Sequence, residues 1–324
     1  MQSYWMQTNT GQAAIGIRDM PLPEPGPHQV LVRLHAAGLN RGEFIAGHGL
    51  HAASGAAKAI GMEGAGEIVK LGAGVTHLQP GQRVLGRCPG AFAEYGLMDA
   101  RETILAPANL SWEEAAAIPL TFLVVYDMLV TQGRLASGEW MLVTGVSSGV
   151  GVAALQTAKA LGASVIGTSR SEDKLARLAG HGLDLGLAAG TGLHEAVLQA
   201  TDGRGADLAV NTVGGSLFPA CMRALAYEGR LATVGHVDGV LHSDIDIEAM
   251  HSKRLTLFGV SNKFRGIEQR AATAAGFSSD ILPKIAAGQI TPLIDRVYPF
   301  AQLAEAKAHM EADRHVGKIV LTMP

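Results

Sequence analysis

The run Glu139-Trp-Met-Leu-Val-Thr-Gly-Val-Ser-Ser-Gly-Val-Gly151 carries an apolar strand into a turn of small residues, and Val152-Ala-Ala-Leu-Gln-Thr-Ala-Lys-Ala-Leu-Gly-Ala163 continues at helical spacing. A strand that feeds a helix through such a turn is where a dinucleotide pyrophosphate sits. Small residues let the backbone approach the phosphates, and the unpaired N–H groups of the first helical turn face the negative charge. Gly145, Gly149 and Gly151 supply the clearance, with Ser147, Ser148 and Val150 completing the contact segment. A tight structural turn uses the same glycines, so the motif by itself leaves both readings open.

The flanking residues favour the nucleotide. A second strand, Ser164–Ser169, ends about 20 residues beyond the glycines, where an NAD-selective fold places an acid for the ribose hydroxyls. Here the sequence reads Ser169-Arg170-Ser171, with Lys174 one helical turn on. A guanidinium with hydroxyl donors suits a 2′-phosphate, so NADPH is expected over NADH. The alternative is that Arg170 opens a solvated helix and Glu172 or Asp173 meets the ribose.

The 324 residues, 48% of them hydrophobic, suffice for two domains of roughly 150 residues each. Two cysteines, Cys88 and Cys221, exclude a disulfide framework and a four-cysteine zinc site, and point to a reducing, cytoplasmic setting. A formal net charge of −3 offers no basic face for nucleic acid. The N-terminus lacks a signal-peptide pattern and no apolar run reaches about 18 residues, so no membrane association is expected.

Residues 1–117 and 263–324 read as short strands and Gly/Pro-rich turns, exemplified by the alternating run His28–His35 and the segment Gly66–Leu71. Residues 118–262 alternate strands with helices: Met141–Thr144, Ser164–Thr168, Leu208–Asn211, Arg230–Val234 and Thr256–Phe258. The expected fold class is α/β, a doubly wound parallel sheet plus a β-rich domain.

Further motifs carry a resemblance. Ala36–Glu43, Gly61-Met-Glu-Gly-Ala-Gly66, Pro80-Gly-Gln-Arg-Val84, Gly90–Tyr95, Ile118–Thr121, Asn211-Thr-Val-Gly-Gly215 and His315–Val320 follow one another. Together they resemble the zinc-free quinone oxidoreductase branch of the medium-chain dehydrogenase/reductase superfamily, nearly end to end. The resemblance implies a Rossmann domain with a GroES-like substrate domain, and hydride transfer from NAD(P)H. It also implies a homodimer, for which Leu255–Phe258 is a plausible edge strand. By the same resemblance Asn40 holds the substrate or the nicotinamide ribose, unless it only orders its turn. Thr121 lies towards the carboxamide side of the cofactor, and Tyr126 lines the site or is core. Asn211 and Val213 lie near the adenosine ribose, and Gly235, His236, Val260 and Ser261 near the nicotinamide. Asn211 departs from the family's aspartate.

Zinc-dependent relatives place a cysteine where Asn40 stands and a histidine where Met62 stands, and neither replacement is a normal zinc ligand. No metal is expected; His48 and His51 are read as ordinary loop histidines, the loop Phe44–Lys58 as lid-like. The turn also fits short-chain dehydrogenases, but no tyrosine has a lysine four residues later. Without a Lewis acid, an acceptor that is already activated is expected, a quinone or an α,β-unsaturated carbonyl. An enoyl thioester reductase and a non-catalytic NADPH-binding redox sensor remain as alternatives.

Overall fold

The computed structural model describes residues 1–9, 12–44, 56–190 and 192–324. They form two units, Met1–Leu123 with Lys263–Pro324, and Val124–Asn262. The break expected after Ala117 falls instead between Leu123 and Val124, inside the helix Pro119–Tyr126. The first turn of that helix is tied to the β-rich unit, because Leu120 N–H donates to Glu63 (2.6 Å) and the Phe122 ring meets Phe277.

In the second unit, strands β1 (Trp140–Thr144), β2 (Ser164–Ser169), β3 (Leu185–Ala188), β4 (Ala206–Asn211), β5 (Leu225–Thr233) and β6 (Thr256–Gly259) are all parallel. They lie in the order 3-2-1-4-5-6, which reverses direction between β1 and β4. Ligands of such sheets bind beyond the carboxyl ends of the strands at that reversal. Met141, Leu142 and Val143 of β1 and Leu208, Ala209 and Val210 of β4 are fully buried. Central parallel strands are covered on both faces, which is why they read as unbroken apolar runs. The sequence pattern did not mark β3. Its Leu-Gly-Leu-Ala lacks β-branched residues, and it is a half-exposed edge strand. The opposite edge is β6.

The first unit holds two sheets. Gln2–Asn9 pairs with Gln12–Asp19 and with Lys58–Ala59 in the smaller one. In the larger, strand Gln29–Gly38 is central, antiparallel to Glu63–Leu71, to Tyr95–Asp99 and to the closing strand Lys318–Thr322. Val30, Val32, Leu34, Phe92, Met98, Ile319 and Leu321 share its core. Two register pairs position the residues that matter below. Val320 opposite Gly38 brings Lys318 to Asn40, and Gly64 opposite Ala37 brings Glu63 alongside Gly38. Gly38 is required there, since a Cβ would lie 2.5 Å from Glu63 Oε1 and 2.8 Å from Ala116 O.

Candidate active site

The segment after β1 is a built cradle. Gly145 takes φ +65°, the left-handed region that favours glycine. Val146 N–H donates to Thr168 O at 3.0 Å and its side chain is fully buried, so the turn is pinned from below. Ser148 caps helix α1 (Gly149–Ala160), its Oγ accepting from Gly151 N–H at 3.1 Å. Gly151 packs on the turn itself: a Cβ would stand 2.6 Å from Gly145 O. Gly145, Ser147, Ser148, Gly149 and Val150 are all partly exposed, with the helix N-terminus behind them. A pyrophosphate fits this arrangement of close backbone and helix dipole.

Ser169, Asn211, Gly235 and Val260 lie at or just past the ends of β2, β4, β5 and β6, so the expected cofactor residues of this unit share one edge of the sheet. Ser169 is buried and its Oγ accepts from Ser171 N–H at 3.2 Å. Arg170 is exposed and stands just before Ser171, the cap of helix α2 (Glu172–Ala179), which buries Leu175 and Leu178 and leaves Lys174 half-buried. His236 and Ser261 are exposed on the same edge.

Asn211 is engaged with its own turn. It is fully buried, and its Oδ1 accepts from Thr144 Oγ (3.2 Å), Val213 N–H (3.0 Å) and Gly214 N–H (3.1 Å), while Nδ2 donates to Gly214 O (2.8 Å). These bonds shape the Asn211–Gly215 turn, and they also occupy the Val213 N–H. Val260 N–H likewise donates to Thr233 O at 2.9 Å. Any part these residues take at a cofactor is by shape rather than by those donors.

In the β-rich unit, Asn40 is the hub of a buried polar cluster. Its Nδ2 donates to Glu43 Oε1 (2.9 Å) and to Glu63 Oε1 (2.8 Å), and its Oδ1 accepts from Lys318 Nζ (2.9 Å). Both amide hydrogens are thus spent inside the protein, which orders the turn that carries Asn40. Lys318 also donates to Glu63 Oε1 (2.6 Å) and Leu39 O (2.9 Å). Glu63 is fully buried, Lys318 5% exposed. Glu43, 2% exposed, has no cation within ion-pair distance among the described residues. Burial pushes its carboxyl up to about 8; the Glu63 charge adds to the rise, while the Asn40 hydrogen bond and Lys318 oppose it.

Glu43, Lys58, Ala59, Ile60, Gly61, Met62 and Pro89 line a cavity of about 230 Å³. Sequence reasoning overlooked Glu43, Glu63 and Lys318. The available signal was a charge set in each of two apolar segments, Gly61-Met-Glu-Gly and Gly317-Lys-Ile-Val. Thr121 is 4% exposed and its hydroxyl donates to Ala117 O (3.1 Å), the cap of the preceding helix. Tyr126, 8% exposed, is five residues along, roughly 140° around the helix, so these two side chains do not share a face.

Among the described residues the donor chemistry does not fit a tetrahedral zinc. Among the described residues no three His, Cys, Asp or Glu side chains group as ligands. The Glu63 oxygens already serve an ammonium and an amide, and Cys88 is a fully buried thiol in the core of the sheet. His48, His51 and most of the lid-like loop lie outside the described residues. No helix among the described residues is long and apolar enough to cross a membrane.

Known proteins align with this arrangement. Residues 26–108 match the alcohol dehydrogenase GroES-like domain and residues 149–274 the zinc-binding dehydrogenase family. A highly reducing polyketide synthase of Gibberella zeae is 30% identical over 92% of the chain, which spans only 13% of that protein. The other first relatives are likewise large, the chain spanning 14% of them. A mycobacterial protein complexed with NADPH superposes with a TM-score of 0.88 at 26% identity, covering 99% of this chain and 100% of its own. A quinone oxidoreductase of Pseudomonas syringae pv. Tomato DC3000 gives 0.85, also at 26% identity and covering 99% and 100%.

Proposed function

Because the chain belongs to the medium-chain dehydrogenase/reductase superfamily, we propose that it is an NADPH-dependent oxidoreductase that reduces activated acceptors, quinones or α,β-unsaturated carbonyls, without zinc. The observation that carries this reading is the Gly145–Gly151 cradle followed by Ser169-Arg170-Ser171, where an acid for NAD would stand. The likeness to an NADPH-complexed protein over the whole chain supports it.

The bound nucleotide supplies hydride at its nicotinamide; the protein supplies position and charge. The helix α1 N-terminus and Ser148 hold the pyrophosphate, and Arg170 and Lys174 the 2′-phosphate. The carbon-rich walls of the Ile60–Met62 cavity suit a small flat acceptor, whose developing negative charge Lys58 offsets at the rim. An activated acceptor needs no Lewis acid, which agrees with a donor set that does not fit zinc.

A second reading, an enoyl reductase for thioester-linked chains, is supported by the polyketide synthase relative, aligned over nearly all of this chain. A homodimer through the open edge of β6 accompanies either reading. The test is calorimetric titration of the purified chain with NADPH and NADH, then cofactor oxidation against 1,4-benzoquinone, 9,10-phenanthrenequinone, simple enones and an enoyl thioester. NADPH binding with turnover of quinones or enones is expected. Turnover of the thioester alone would favour the second reading. Binding without turnover would make the chain a sensor, and no binding would end all three.

A further inference from the structure

Arg87 closes the strand Arg83–Arg87, Glu102 stands in the turn after Tyr95–Asp99, and Arg270 lies near the start of the helix Ile267–Asp280, all three in the β-rich unit. Glu102 is 4% exposed, and its Oε2 accepts the Arg270 Nε–H at 2.9 Å. That bond fastens the helix to the turn and balances the charge. A second guanidinium is nevertheless brought to the same carboxyl: Arg87 Nη1 is 3.9 Å from Glu102 Oε1, beyond hydrogen-bonding distance. Among the described residues no hydrogen bond reaches Arg87, and Arg270 spends only Nε and Nη1, the latter on Arg265 O at 2.6 Å. The two side chains are 28% and 21% exposed, so their spare donors are open to a solute rather than sealed in the core. Neighbouring charges do not supply the missing anion. Asp99 is gripped by Arg101, whose Nε and Nη2 donate to its two oxygens at 2.9 and 2.7 Å. Glu268 is largely exposed and 4.0 Å from Arg101, and Arg265 adds a further cation, bonded to Gln269 O and Thr273 Oγ1. Arg87, Glu102 and Arg270 together thus carry an excess positive charge.

We propose that Arg87 and Arg270 form an anion site that takes the phosphate group of a small molecule. A purely structural triad would set both guanidiniums in hydrogen bonds on the carboxyl, as Arg101 sits on Asp99; here the fold draws none from Arg87, yet holds it half-buried beside a like charge, an arrangement that a bound anion relieves. Burial pulls Arg87 down from the ordinary guanidinium range, Glu102 and Cys88 oppose the fall, and Arg270 adds to it, which is the mark of a cation short of negative charge. The guanidinium remains charged all the same. Its planar fork offers parallel N–H groups to paired oxygens, and a phosphate has oxygens enough for both forks while Glu102 keeps its place on Arg270 Nε. A carboxylate can fill one fork only, and it brings a single charge where a phosphate monoester brings about 1.5 to 2. Free phosphate and a phosphate ester on a larger molecule present the same oxygens to the site. The site lies within one unit and does not rest on the oxidoreductase reading.

The experiment titrates the full chain with inorganic phosphate, glycerol phosphate and acetate at fixed ionic strength, read by calorimetry and by the nitrogen–proton NMR correlations of the arginine Nε–H groups. Phosphate should bind saturably, move the Arg87 and Arg270 signals and leave that of Arg101 in place. Arg87→Met should weaken it at least about 10-fold, and Arg87→Lys, which keeps the charge but not the fork, should retain part of the affinity. Arg101→Met, whose cation is already paired with Asp99, should bind as wild type does. Tighter binding of inorganic phosphate means that the group arrives free, and tighter binding of glycerol phosphate that it arrives as an ester. Acetate held as tightly as phosphate, an unmoved Arg87 signal, or equal affinity in wild type and Arg87→Met would each overturn the proposal. Phosphate bound at the nucleotide cradle instead would be lost in Arg170→Asp and kept in Arg87→Met, which also overturns it. The wild-type signals decide the matter even where a variant fails to fold. Failure of NADPH to bind would end the oxidoreductase reading and leave this site untouched.

Discussion

Replacing Lys318 by methionine keeps the length and apolar stem of the side chain and deletes its charge. Three hydrogen bonds of 2.6–2.9 Å disappear, and Glu63, fully buried, keeps only the Asn40 and Leu120 donors. Removing one partner of a buried pair strands the other charge and costs about 3–5 kcal/mol. For a unit of this size roughly 2–4 °C of Tm accompany each kcal/mol, so Lys318→Met should melt about 6–20 °C lower by calorimetry. Adding Glu63→Gln removes the stranded charge. The double variant should recover most of the loss, with a coupling of about 2–3 kcal/mol in a double-mutant cycle. The exposed pair Lys307–Glu311, at the same 2.6 Å, is the control: Lys307→Met should cost no more than about 0.5 kcal/mol. Additive losses at Glu63 and Lys318, or a Lys318→Met loss no larger than that of Lys307→Met, would refute the reasoning.

Three other perturbations follow from the same structure. Arg170→Asp should weaken NADPH binding at least about 10-fold while leaving NADH little affected, because a charge-assisted contact to the 2′-phosphate is lost; equal losses in calorimetry would reject that site. Gly151→Ala gains helix propensity but sets a Cβ 2.6 Å from Gly145 O, so the clash should dominate, costing about 1–3 kcal/mol and weakening NADPH binding measurably. Unaltered affinity would mean that the cradle does not hold the nucleotide. For Glu43 the folded value, about 8, lies above the ordinary 4.5. Its contribution to stability is therefore full below about pH 4.5 and is lost as pH rises through 8, a fall on the order of a few kcal/mol at 1.36 kcal/mol per pH unit. Urea unfolding across that range should show the decline in wild type and a flatter curve for Glu43→Gln; parallel curves would contradict it.

Local chemistry was legible in the chain. The strand, small-residue turn and capped helix at Trp140–Ala160, and the Ser169-Arg170-Ser171 window, are each contained within a few residues of one another, so spacing and residue type suffice to read them. Five of the six parallel strands could be picked out by their apolar runs; β3 could not, because an edge strand is under less pressure to be apolar and Leu185-Gly-Leu-Ala188 carries little strand preference. The place of Asn211 near the adenosine ribose comes from the resemblance alone, and what the structure adds is that its amide is engaged by its own turn.

What the sequence determined by itself was the α/β class, the two-part organisation and the strand, small-residue turn and capped helix at Trp140–Ala160. Only the tertiary structure decided what surrounds Asn40 and which carboxyl lies beside the Lys318 ammonium. Lys318 is 255 residues from Glu63, and the two meet solely because the closing strand pairs with Ala36–Gly38 while Glu63–Leu71 pairs on the other side. Register between strands far apart in the chain is set by packing of the whole unit, and burial, which raises the Glu43 carboxyl, is a property of that packing rather than of any stretch of residues.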